Sequence, residues 1–486
     1  MFKSLGHAMI DQLADLIASV PLGPVTRGES PTDVRQALDL DGPLPEQGAA
    51  PGPMLQETAR QLFGHSLFNG HPRFFGYITS SPAPIGMLAD LLAAAVNPNC
   101  GSWTLAPAAT EIETQTVRWV AQLIGCPAET SGLLVSGGNM ANMVGFWAAR
   151  AAKADWNIRA AGVAGGRRMR AYASAETHTW IQKAADLSGL GTDSVRFIST
   201  GDDLRMDLAA LERAIAEDRK SGDLPFLVVG TAGSVSTGAV DDLPAMAGIC
   251  RREGLWFHVD GAYGGFAAGV EGAPADLRGI SEADSVAVDP HKWLYAPLEA
   301  GCALVRDREA LLRAFSYHPP YYHFQERTVN LVDYGPQNSR GFRALKVWLA
   351  LRQAGAAGYR RMIADDMALA RALADAVLTK PDLELMTHAL SITTYRCVPP
   401  DLRGRMGEAQ VDEHLNTLNR EVLVRMQSGG EAFVSNAVLR GRYVLRACIV
   451  NFNTRASDIE AVAEISARMG REIDAELRPD SLKPGA

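Results

Sequence analysis

The chain reads as an α/β protein: a mostly parallel, seven-stranded sheet covered by helices, with an N-terminal helical segment and a small α+β C-terminal domain. Three observations predict this. Between residues 86 and 360, short apolar runs alternate with stretches of helical periodicity. Two of those runs end in Asp260 and in the Asp289-Pro-His-Lys292 turn, at the strand ends where open α/β sheets place their ligands. A third run, Leu133-Leu-Val-Ser-Gly-Gly-Asn139, passes from strand through two glycines into a helix.

The seven runs are Leu133–Val135, Met169–Ala173, Val195–Ile198, Phe226–Thr231, Leu255–Val259, Ser285–Val288 and Gly301–Val305. Each is short and mostly apolar, and Leu255–Val259 and Ser285–Val288 are rich in β-branched or aromatic residues, as strands buried on both faces require. Upstream, an amphipathic stretch Gly6–Val20 precedes the Pro- and Gly-rich tract Pro21–Pro53, which cannot be one continuous helix and reads as an arm. Helical periodicity returns in Ile85–Ala95 and Ala108–Ile124. A helix over Gly341–Ala354 leads out of the alternating region, and a second follows over Arg360–Val377. Strands near Leu383–Met386, Ser391–Tyr395 and Tyr443–Val450 and a final helix from Ser457 complete the chain. The expected domains are therefore residues 1–85 as a dimerisation arm, 86–360 as the large ligand-binding domain and 361–486 as the small one.

A chain of 486 residues with 47% hydrophobic and 21% charged residues can bury a large core. The balance of 47 basic against 55 acidic residues, without a long basic run, disfavours nucleic acid as a partner. No uncharged apolar run approaches the roughly 20 residues of a membrane span, so no membrane partner is expected. The N-terminus lacks the features of a cleaved leader. Cys100, Cys126, Cys250, Cys302, Cys397 and Cys448 are scattered without CxxC spacing, which fits reduced thiols in a cytoplasmic protein. No metal is expected, because His258, His291, His318 and His323 fall in no ligand spacing, and no GxSxG elbow points to a serine hydrolase.

Lys292 stands 32 residues after Asp260. Alone, a lysine after a strand is usually solvated and an aspartate at a strand end usually caps a turn. At neighbouring strand ends they supply what pyridoxal 5'-phosphate (PLP) needs, an amine for its aldehyde and a carboxylate for its pyridine nitrogen. Gly137, Gly138 and Asn139 are candidates for its phosphate, since glycines admit close backbone approach and the first helical N–H groups point at an anion. The same turn is also an ordinary tight strand-to-helix connection. His178 follows a strand and opens a helix, where it could stack on a ring or merely start the helix.

The ordered motifs His71-Pro-Arg-Phe-Phe75, Ser102-Trp103 with Pro107 and Glu111, the Ser-Gly-Gly turn, His178, Thr231-Ala-Gly-Ser234, His258-Val-Asp-Gly-Ala-Tyr263, Pro290-His-Lys-Trp293 and Arg340-Gly-Phe-Arg-Ala-Leu-Lys-Val-Trp348 span nearly the whole chain. In them the sequence resembles the group II PLP-dependent amino-acid decarboxylases, the family of aromatic-amino-acid, glutamate and histidine decarboxylases within the fold-type I PLP enzymes. The resemblance implies that Lys292 carries the cofactor, Asp260 pairs with its pyridinium, His178 stacks on one ring face and Ala262 packs against the other. It implies α-decarboxylation of an L-amino acid to its amine, and a homodimer with active sites at the interface. His291 is a candidate for reprotonating Cα, with a structural hydrogen bond as the competing role. Tyr334, in Leu331-Val-Asp-Tyr-Gly335, falls where the resemblance implies a loop tyrosine that donates a proton; a plain surface tyrosine is the alternative.

Three positions depart from the aromatic subgroup. Val235 stands where many relatives have a hydroxyl, Asp289 stands in place of an Asn near the phosphate, and Gly101 replaces a bulky aromatic lining the substrate pocket. Phe74, Phe75, Tyr77 and Trp103 lean toward an aromatic or hydrophobic substrate, while an acidic one stays open. Two rivals share the scaffold: oxygen-dependent decarboxylation–deamination to an aldehyde, and a PLP-binding homologue without turnover. Intact Lys292, Asp260 and His178 argue against the second.

Overall fold

The computed structural model describes residues 1–318 and 328–483; His323 lies outside the described residues. The chain divides into two compact units, Pro82–Met367 with Ala389–Ser391, and Met1–Ser81 with Ala368–His388 and Ile392–Ala486.

The larger unit is built on seven strands: β1 (Ser131–Val135), β2 (Met169–Ser174), β3 (Val195–Ile198), β4 (Leu224–Thr231), β5 (Trp256–Asp260), β6 (Ser285–Val288) and β7 (Gly301–Val305). Their spatial order is β1-β7-β6-β5-β4-β2-β3. Only β7 runs against its neighbours, pairing antiparallel with both β1 and β6. The other pairs are parallel. This direction pattern brings the carboxyl ends of β1, β2, β4, β5 and β6 and the start of β7 to one edge. Helix α1 (Gly138–Lys153) packs its apolar face, including Val144 and Phe146, into a core with Trp180, Phe226 and Leu227. The sequence placed all seven strands within two residues at each end, but not the reversal of β7.

The smaller unit holds a five-stranded sheet in which Phe74–Phe75 adds parallel to Phe433–Leu439. That strand pairs antiparallel with Arg442–Cys448, followed in order by Ile392–Cys397 and Leu383–Ala389. Helices Ala409–Gly429 and Ala456–Leu477 cover it through Leu415, Leu418, Val462 and Ile473. This partition differs from the three domains expected. The first 81 residues share a unit with the C-terminal region because Phe74 and Phe75 supply a strand to its sheet, and Phe74 packs with Val25 and Phe433. The two helices expected after residue 341 are present within Ala344–Leu378, separated by a kink at Gly355 with a φ of +65°.

Candidate active site

The carboxyl edge of the large sheet collects most of the candidate residues. Asp260 closes β5 opposite Thr231 at the end of β4, a register that sets their side chains side by side at the edge. After β6 the chain turns at Asp289 into the short helix Pro290–Trp293, which carries His291 and Lys292. Lys292 Nζ lies 3.0 Å from Asp289 Oδ2, and His291 Nε2 lies 3.7 Å from the same oxygen. His291 Nδ1 accepts from the Ala300 N–H at 3.1 Å, so one ring nitrogen ties the turn to the start of β7. Burial, with the Lys292 charge, pushes this imidazole below its usual range despite the pull of Asp289.

The glycine turn after β1 is packed against this group. Gly137 caps α1 with a φ of +140° and no side-chain cap, leaving the first helical N–H groups without an intrahelical acceptor. A Cβ added at Gly138 would lie 2.5 Å from Asp289 Oδ2 and 2.9 Å from the Ala262 methyl, and one at Gly137 would lie 3.3 Å from His291 Cε1. Only glycine fits at position 138, and its surroundings join Ala262, Asp289 and the helix end in one cradle. Asn139, in the first turn, has an exposed side chain.

His178 sits just beyond β2, and its Nδ1 accepts from the Trp180 N–H at 3.3 Å. Burial lowers its pKa; Asp260 raises it and Lys292 lowers it, which places both charges within electrostatic reach of the ring. Asp260 Oδ1 accepts from the Ala262 N–H at 3.2 Å, and Oδ2 accepts from the Trp180 indole N–H at 2.7 Å.

Tyr334 is a correction. It is a buried core residue, packed with Leu133, Leu311 and Leu331. Its phenol hydrogen-bonds Ser131 and Arg308, and the Arg308 guanidinium lies 5.6 Å from the ring centroid. Ser131 begins β1 while the glycine turn follows its far end, so about 13 Å of strand separates Tyr334 from the cradle. Its phenol thus lies away from the cradle of its own chain, and it is not a surface tyrosine. The aromatic inventory also shrinks, because Phe74 and Phe75 are core residues. At Gly101, a Cβ would collide with the Asn338 carbonyl, so the missing aromatic could not be restored without moving that loop.

Sequence reasoning missed Trp180 and the hydroxyls of Thr231 and Thr177. These hydroxyls, with Asp289 Oδ1, are buried side-chain oxygens without a partner. The pairing of Thr231 with Asp260 across adjacent parallel strands was a signal available in the quoted motifs.

A family model described as the pyridoxal-dependent decarboxylase conserved domain matches residues 31–394. The chain belongs to the pyridoxal-dependent decarboxylases. Among relatives of this decarboxylase, the aromatic-L-amino-acid decarboxylase of Bacillus atrophaeus is 33% identical over 94% of this chain and 93% of its own. A phenylacetaldehyde synthase of Petunia hybrida is 30% identical over 92% and 89%. A crystal structure of Oryza sativa TDC with PLP and tryptamine superposes with a TM-score of 0.89 at 28% identity, covering 97% of this chain and 98% of that one.

The residues present fit PLP. The glycine turn presents the N–H groups of a helix N-terminus to a phosphate, Lys292 offers an amine and Asp260 a carboxylate, and the buried Thr177, Thr231 and Asp289 oxygens are further polar groups for a ligand. None of the six cysteines of this decarboxylase is in a disulfide among the described residues, and five of them are buried. Among its described residues, no helix is long and apolar enough to cross a membrane.

Proposed function

We propose that this decarboxylase converts an aromatic L-amino acid to the corresponding arylalkylamine and CO2. The observation that carries the reading is the convergence of Lys292, Asp260, His178 and the Gly138 cradle on one sheet edge, in a chain whose relatives include an aromatic-L-amino-acid decarboxylase. When bound, PLP supplies an electron sink for the carbanion left by carboxylate loss.

In this reading the Lys292 amine holds the cofactor and yields to the substrate's amine. Gly137, Gly138 and Asn139 hold the phosphate with the first N–H groups of α1. Asp260 would pair with the pyridine nitrogen, and His178 and Ala262 would hold the ring between them, so that the substrate is oriented for loss of its carboxylate. Asp289 is assigned to Lys292 rather than to the phosphate, since two anions in one cradle repel and its Oδ2 lies 3.0 Å from the ammonium. His291, on the same turn as Lys292 and with Nδ1 held by the Ala300 N–H, is assigned to carry the proton to Cα on Nε2.

A second reading, conversion to an aldehyde, is favoured by two observations: a phenylacetaldehyde synthase among the relatives, and the position of Tyr334 away from the cradle of its own chain. That reaction takes up O2 and water and releases aldehyde, CO2, ammonia and hydrogen peroxide. We further propose a cytoplasmic homodimer. Supporting it, Leu88, Leu91, Leu92 and Val96 form an exposed apolar stripe on the helix Pro84–Val96.

The test is incubation with L-phenylalanine, L-tyrosine, L-tryptophan and L-glutamate in air, measuring CO2, amine, aldehyde and peroxide together. Equimolar CO2 and arylalkylamine are expected. Equimolar aldehyde and peroxide would overturn the first reading for the second, and turnover of glutamate alone would overturn the substrate class.

A further inference from the structure

Trp180 touches two of the groups assigned to the cofactor ring at once. Its backbone N–H donates to His178 Nδ1 at 3.3 Å, and its indole N–H donates to Asp260 Oδ2 at 2.7 Å. The side chain is fully buried. With Ala262 N–H on Oδ1, both oxygens of the carboxylate are held, and its rotation is fixed.

The indole is itself immobilised. It meets His258 edge to face, with ring centroids 5.5 Å apart and an interplanar angle of 74°. His258 is held at both nitrogens, Nε2 by Asn142 Oδ1 and Nδ1 by Ser285 Oγ, each at 2.7 Å. Ser285 Oγ also accepts from the Trp256 indole at 2.8 Å. Elements α1, β5 and β6 thus fix one indole N–H against one carboxylate oxygen.

An indole N–H donates and cannot accept. A water or hydroxyl in its place would serve a protonated acid as readily as a carboxylate, whereas the indole serves the charged oxygen best. In a buried site a neutral acid and neutral pyridine compete with the ion pair, because desolvation penalises both charges. A fixed donor aimed at the acid tips that competition.

We propose that Trp180 is a positioning residue that keeps Asp260 an oriented carboxylate, so that the proton shared with the cofactor's pyridine nitrogen stays on the nitrogen. This rests on the reading of Asp260 as the pyridine partner. The structure separates it from simple packing, since replacing the indole N–H by an isosteric sulfur preserves the bulk and deletes the donor.

The holoenzyme is reconstituted with PLP labelled with 15N in the pyridine ring, and the nitrogen resonance is read by NMR in the wild type, in W180F and in a protein carrying β-(3-benzothienyl)alanine at position 180. Both variants are expected to retain cofactor on Lys292 while the resonance moves toward the unprotonated position, with kcat lowered roughly tenfold and KM within about twofold. If W180F does not fold, the benzothienyl protein decides. An unchanged resonance there, with or without a lowered melting temperature, overturns the proposal and leaves Trp180 a packing residue. D260N in the same series separates the two levels. If D260N leaves the resonance unmoved, the reading of Asp260 fails; if it moves and the position-180 variants do not, only the role of Trp180 fails.

Discussion

Two of the ion pairs in the large unit are built to opposite ends. Arg340 and Glu113 form an ion pair with side chains 1% and 0% exposed. Arg340 also donates to the carbonyls of Cys100 and Leu134, and Glu113 accepts from the Leu134 N–H at 2.8 Å. Lys292 and Asp289 share one contact of 3.0 Å, the lysine side chain is 21% exposed, and Asp289 Oδ1 has no partner. Both oxygens of Glu113 and two of the three Arg340 nitrogens are engaged, Nε alone lacking a partner, and this densely bonded pair holds the start of the sheet together. A pair left half satisfied keeps an amine free to exchange partners, which is what covalent catalysis by a lysine requires.

The largest expected effect breaks the more densely bonded pair. Arg340→Met leaves Glu113 buried and unmatched and should destabilise the fold by about 3–5 kcal/mol in urea unfolding at pH 7, with the Arg340→Met, Glu113→Met double variant recovering most of it. A loss below about 1 kcal/mol would put this pair on the same footing as an exposed one. At the cofactor edge the matching change is in rate. Asp260→Asn should retain cofactor and lose roughly a hundred- to a thousand-fold in kcat, on the order of 3–4 kcal/mol of transition-state stabilisation. Turnover near the wild-type value would leave Asp260 a structural cap.

How far the sequence carried this contrast depends on which residue is considered. The gathering of Lys292, Asp260 and Gly138 at one sheet edge was legible because each follows the end of an apolar run, and strand ends follow from apolar periodicity. The seven strands were legible for the same reason. Tyr334 was assigned from the resemblance of its segment alone. Spacing along a loop does not say which edge of the sheet the loop crosses, and Ser131 and Arg308 draw the phenol to the far one. Asp289 was legible as a departure but not as the lysine's partner, since that contact needs the Pro290–Trp293 turn. Trp180 looked like one more helical aromatic, because no pattern in the chain records where an indole N–H points. The N-terminal arm was separated from the C-terminal unit because a two-residue strand, Phe74–Phe75, has no periodicity to read.

Acid should distinguish the two regions again. A guanidinium does not titrate in this range, whereas burial holds His258 neutral and depresses its folded pKa to about 4. The unfolded chain, with an ordinary imidazole, takes up the proton first, near pH 6.5. Between those values the unfolded state binds more protons, so stability falls as pH drops from 6.5 toward 4 and is level above 6.5. Urea unfolding across pH 7.5 to 4.5 should show that slope, and H258N should flatten it. An equal slope in both would assign it to other groups. The smallest effect is Asp289→Asn, which removes a charge from a pair never saturated. Stability should change by less than about 1 kcal/mol, against the several lost on breaking Arg340 from Glu113. A loss as large as that of Arg340→Met would erase the contrast.

The central claim, that Lys292 is the amine of the half-satisfied pair and carries the cofactor, has a direct measurement. The holoenzyme is reduced with borohydride, digested, and the peptide spanning Ser285–Leu294 is sequenced by mass spectrometry. The account predicts a stable pyridoxyl-phosphate adduct on Lys292. An adduct on Lys346, whose ammonium lies 3.1 Å from Asp90, or no adduct at all, would contradict it.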